Sequence, residues 1–100
     1  MKKKSEKLNV VKENRIGRFT VAKPMIEEMP DKLLRSFFGR FVIVRAEFIY
    51  NSQTFDYVAY SEYFDKRRIN EIIPLYDLHL TQKNGQIINI RTVKHEGEKP

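Results

Sequence analysis

The chain has 100 residues, 19 Lys and Arg against 13 Asp and Glu, and no cysteine. That length suits one domain, and the missing cysteines exclude a disulfide framework and any thiolate-bound zinc or iron–sulfur centre. Its longest apolar run, Phe41-Val42-Ile43-Val44, falls far short of the roughly 18 residues that a membrane-spanning helix needs.

The formal charge of +6 is concentrated at the start of the chain. Residues 1–23 hold eight cations (Lys2, Lys3, Lys4, Lys7, Lys12, Arg15, Arg18 and Lys23) against Glu6 and Glu13, and residues 24–100 are neutral. Residues 1–14 carry only Leu8, Val10 and Val11 as apolar side chains after Met1. That is too little to offset the ordering entropy of the segment, so a basic, flexible N-terminal tail over 1–14 is expected. The lysine run lacks the apolar stretch of a signal peptide, which points to a cytoplasmic protein.

A single domain is expected over 15–94. Arg15 to Ala22 reads as a strand, weakened at Gly17. From Pro24 to Phe38, apolar residues recur at spacings of three and four, the pattern of one helical face. Pro30 does not suit a helix interior. Proline at the first helical position and Gly39 just past the end favour a short turn followed by a helix from about Pro30 to Phe38.

Beyond Arg40 the period changes to two. Val42 to Tyr50 and Thr54 to Ser61 read as a β-hairpin. One face carries Val42, Val44, Ala46 and Phe48 with Phe55, Tyr57 and Ala59. The other is half polar, with Ile43, Arg45, Glu47, Ile49, Asp56, Val58 and Tyr60. Glu62 to Asn70 reads as a loop. Ile72 to Thr81 reads as a strand that Pro74 confines to an edge or bulge. Lys83-Asn84-Gly85 marks a turn into Ile87–Lys94. A three-residue loop there aligns Leu80 with Ile88, Leu78 with Ile90 and Asp77 with Arg91. Residues 95–100 read as a second flexible tail. The expected fold is α+β: an antiparallel sheet of about five strands, formed by a strand, a helix and two hairpins, with one helix packed on a face.

Few motifs carry chemistry. The four glycines are too scattered for a phosphate loop, and His79 and His95 lie in different segments. Glu47 and Asp56 share a face, but Arg45 is beside them and no further ligand is at hand. No catalytic residue, metal or cofactor is therefore assigned. Eleven of the twelve Phe and Tyr fall between Phe37 and Tyr76; most suit a small core, with Tyr60 and Tyr63 expected to be the most exposed. Lys66-Arg67-Arg68 has only Asp65 as an adjacent counter-charge.

Three function classes fit. One is a non-enzymatic nucleic-acid-binding protein that uses Lys2, Lys3, Lys4, Lys7, Lys12, Arg15 and Arg18 for phosphate contacts, with Tyr60, Tyr63, Lys66, Arg67 and Arg68 in a basic, aromatic loop. The second is a protein–protein interaction module, a regulator or inhibitor that docks through Ile43, Ile49, Val58 and Tyr60. A small ribonuclease-like enzyme comes third, since neither histidine has an evident partner. No membrane partner is expected. The arrangement of the N-terminal cations relative to Lys66-Arg67-Arg68 is the feature that matters most.

Overall fold

The computed structural model describes residues 9–95. After a helical turn over 9–12, five strands and two short helices follow among the described residues in the order β1 (Ile16–Ala22), α1 (Lys23–Glu28), α2 (Asp31–Phe38), β2 (Val42–Ile49), β3 (Thr54–Tyr60), β4 (Tyr76–Lys83) and β5 (Gln86–Lys94). The α+β class and the five antiparallel strands agree with expectation. The strands form two sheets, one of three strands in the order β1-β3-β2 and one of two, β4-β5. They meet where Arg18 bridges Leu75 in parallel and donates its N–H to the Pro74 carbonyl at 2.8 Å. No helix among the described residues is long and apolar enough to cross a membrane.

Proline chemistry divides the helical segment. Pro24 lies in the first turn of α1, and Pro30 stands just outside α2 with extended backbone. A proline there removes no helical hydrogen bond and starts a second helix on a new axis. Asp31 sits in the first turn of α2 and Arg35 in its last, each at the end its charge suits.

Phe19 of β1 is at the centre of the core, fully buried. Its ring lies 4.8 Å from that of Phe41, 5.3 Å from Tyr57, 5.9 Å from Phe37 and 6.3 Å from Phe64. Leu33 and Phe37, one helical turn apart, bury the inner face of α2, and Ile87 and Ile90 close the far side from β5. Complete burial of each such side chain stabilises by about 1.5–3 kcal/mol relative to exposure.

Gly17 has a packing reason. It pairs with the fully buried Ala59 across β1-β3. A Cβ at position 17 would fall 2.7 Å from the Tyr76 ring and 2.9 Å from that of Phe64. Two small residues side by side thus admit the stacked Phe64–Tyr76 pair, whose rings lie 4.6 Å apart.

Both hairpins contain an irregularity that alternation does not show. Near its turn the first has the expected pairing: Phe48 opposite Phe55, Ala46 opposite Tyr57, and Glu47 opposite Asp56. The register then shifts at Val44, so that Ile43 pairs with Ala59 on the core side and Val42 with Tyr60 on the other. Val44 is left exposed. The second hairpin turns on Asn84-Gly85 alone, with Lys83 opposite Gln86. Both turn residues have positive φ, as this two-residue connection requires. A bulge then sets Leu80 opposite Ile90, Leu78 opposite Thr92 and His79 opposite Arg91. The expected pairs Leu80–Ile88, Leu78–Ile90 and Asp77–Arg91 are therefore incorrect. The bulge lets Ile87 and Ile90, three residues apart, both point inward. The strand expected from Ile72 begins only at Tyr76, and Ile72 is 85% exposed.

Of the expected N-terminal tail, residues 1–8 lie outside the described residues. Residues 9–12 are helical and Val10 is buried. Of the C-terminal segment only His95 is described, its N–H on the Leu75 carbonyl at 2.7 Å.

Candidate nucleic-acid interface

Residues 61–75 run from β3 to β4 with no regular secondary structure, and several of their polar groups are held by residues outside the loop. Ser61 is buried; its N–H reaches the Arg15 carbonyl at 3.0 Å and its hydroxyl the Arg40 carbonyl at 3.0 Å. The Asp65 N–H donates to the Tyr76 hydroxyl at 3.1 Å. Arg67 donates its N–H to the Asn14 carbonyl at 2.9 Å, and the Asn14 side-chain amide returns a bond to the Arg67 carbonyl at 2.9 Å. Asn14 has φ 56, a left-handed conformation that asparagine tolerates well. Further along, Glu71 Oε1 accepts from the Arg68 N–H, and the Glu71 carbonyl accepts from Arg67 Nη1, each at 2.9 Å.

These bonds bring the end of the N-terminal cationic stretch against Lys66-Arg67-Arg68. Within the patch the cations are not equivalent. Arg15 Nε contacts Glu13 at 2.5 Å and its Nη1 donates to the Phe64 carbonyl at 3.0 Å, so this guanidinium is held in place. The hydrogen bond from Arg15 holds the Glu13 carboxyl below its ordinary range, helped by the positive charge of Lys66 and Arg15 and opposed by partial desolvation. Arg67 is half-buried. Lys12, Lys66 and Arg68 are exposed, and none of the three has an ion-pair partner among the described residues. Arg18 turns away: its Nε lies 3.8 Å from Asp56 Oδ1, and neither atom has a hydrogen-bond partner. Lys2, Lys3, Lys4 and Lys7 lie outside the described residues.

Tyr60 and Tyr63, expected to be the most exposed aromatics, are both half-buried; Tyr50 is the exposed one, at 79%. Tyr60 and Tyr63 line an open cleft of about 580 Å³ with Val10, Arg35 and Arg40. The Tyr63 hydroxyl accepts from Arg40 Nη1 at 2.8 Å. The other Arg40 nitrogens bond the carbonyls of Ser36 and Ile87. This guanidinium is a structural tie between α2, β5 and the loop, and it leaves no free fork for a phosphate. The Tyr63 hydroxyl is thus held by Arg40, and its half-buried ring lies 6.3 Å from that of Phe41.

The four residues expected to form a protein interface do not share a patch. Val58 is buried and Tyr60 half-buried. Ile49 is exposed on their face, whereas the shift at Val44 moves Ile43 to the opposite face. Glu47 and Asp56 do face each other, but Arg45 Nη2 is 2.9 Å from Glu47 and Arg18 attends Asp56. No group of three or more metal-ligating side chains occurs among the described residues.

The cleft residue Arg40 and the clasp residue Asn14 escape sequence reasoning, because their roles depend on partners far along the chain. No family model, curated protein or solved structure matches this chain.

Proposed function

We propose that this is a non-enzymatic binding protein whose ligand is nucleic acid, held through phosphate contacts from the N-terminal cations and the Lys66-Arg67-Arg68 loop. The observation that carries the reading is the pair of hydrogen bonds between Asn14 and Arg67, which joins two cationic segments at one end of the domain. Exposed lysine and arginine side chains at a fixed spacing displace condensed counterions from a phosphate backbone and bind without reading sequence. With Tyr60 and Tyr63 turned into the cleft, base stacking contributes little. Binding is therefore salt-sensitive and tolerant of sequence.

The test is binding of mixed-sequence single and double strands across a salt series. Three proteins are compared: wild type, a Lys66→Gln, Arg68→Gln variant, and a variant with Lys2, Lys3, Lys4 and Lys7 replaced by Gln. Each lost contact should flatten the duplex log–log salt slope by about 0.9. Absence of binding at low salt, or a slope unchanged in both variants, overturns the proposal. Docking of a protein is the second reading, and what favours it is the open edge of β2.

A further inference from the structure

We infer that β2 is a homodimer edge that pairs antiparallel with β2 of a second copy about a two-fold axis beside Ala46. This inference is independent of nucleic-acid binding. β2 is the outer strand of its sheet, and it has no strand partner on that side among the described residues. It exposes apolar side chains, Val44 at 56% and Phe48 at 37% among them. Open edges of this kind are normally blunted by charges or a bulge. β2 has both, in Arg45, Glu47 and the register shift at Val44. Against an arbitrary strand these features repel; against an antiparallel copy of itself the charges match.

The register follows from symmetry. In an antiparallel pair, facing residues point to the same side of the sheet, and a two-fold axis makes one residue face its own copy. An axis beside Arg45 or Glu47 opposes like charges. An axis beside Val44 sets Arg45 against Ile43 and Glu47 against Phe41, and one beside Phe48 sets Glu47 against Ile49 and Arg45 against Asn51, so neither pairs the charges. An axis beside Ala46 sets Arg45 against the second copy's Glu47 twice, with the small Ala46 facing itself between them. It also brings Phe48 beside the second copy's Val44, covering two of the apolar side chains that β2 leaves open. Arg45 and Glu47 already pair within one chain at 2.9 Å with side chains 66% and 51% exposed, so both are free to turn to a partner. The three-stranded sheet thereby becomes a six-stranded one.

Sedimentation velocity of the full chain across micromolar concentrations tests this. Wild type is expected to dimerise. Arg45→Glu and Glu47→Arg, each placing like charges across the two-fold twice, should raise the dissociation constant by about tenfold or more. An equimolar mixture of the two single variants should restore a heterodimer, because one chain then presents two carboxylates and the other two guanidinium groups. The chain has no native cysteine, so Ala46→Cys should form a disulfide-linked dimer on oxidation, while Thr20→Cys, at an exposed position of the otherwise largely buried β1, should not. A wild type that stays monomeric, single variants that dimerise like wild type, or a mixture that fails to associate each overturns the inference. The dimer requires both the charge rescue and the Ala46→Cys cross-link.

Discussion

Asn14 and Arg67, 53 residues apart, exchange two hydrogen bonds of 2.9 Å, each using one main-chain group of Arg67. This clasp connects the segment entering β1 to the loop leaving β3. Replacing Asn14 by Ala removes one bond and places a Cβ-bearing residue with no side-chain amide at φ 56. Destabilisation of about 1–3 kcal/mol is expected from the lost bond and the left-handed backbone together. Hydrogen exchange should quicken at the Arg67 amide before it does in the β1-β3 ladder. Equal acceleration in both places would mean that the clasp is not a separate unit.

Gly17→Ala tests the packing of β1 over the Phe64–Tyr76 stack. The backbone there accepts alanine, so the whole cost is steric: the new methyl meets aromatic carbons at 2.7 and 2.9 Å. Overpacking of this kind costs about 1–3 kcal/mol, measurable by urea unfolding. A second replacement that shrinks the stack, Phe64→Leu, should make the combined effect less than additive, since the two sites touch.

Gly85→Ala is the opposite case. No atom lies within 4 Å of a Cβ at this position, but φ is +76, so backbone strain alone should cost about 1–2 kcal/mol. The register of β4-β5 should survive, because Leu80, Ile87 and Ile90 pack against the core. Cross-strand nuclear Overhauser contacts between His79 and Arg91 would verify that.

Tyr76 gives the domain an alkaline limit. Burial pushes its phenol above the ordinary tyrosine value, against the lowering effect of the Asp65 N–H; burial does the same to Tyr57. A raised value in the folded state means that the folded form holds its proton more tightly. The associated stability is fully present below about pH 10 and is lost as pH rises through the folded-state value. Tyr76→Phe should therefore flatten the decline above pH 10. At neutral pH it should cost about 0.5–1.5 kcal/mol through the lost bond to Asp65. Urea midpoints at neutral and alkaline pH separate the two effects.

Much of this fold can be read from local chemistry. Pro30 divides the helical segment because it cannot donate within a helix, and Asn84-Gly85 turns the second hairpin because both residues accept positive φ. The alternation in Ala46, Phe48, Phe55 and Tyr57 sets the first hairpin's register near its turn. Properties of this kind are carried by single residues or near neighbours, so the amino-acid sequence by itself determines them. Tertiary structure alone decides where that alternation breaks. The bulge in β5 occurs where the core takes both Ile87 and Ile90, the one at Val44 where Ile43 comes to face Ala59, and a period of two has no means of marking such a site. The same holds for the candidate interface. The basic character of residues 1–23 and of Lys66-Arg67-Arg68 is plain in the sequence. Their meeting depends on main-chain hydrogen bonds between Asn14, Arg15, Ser61 and Arg67, and backbone groups are alike at every position. Only the path of the folded chain selects which of them meet.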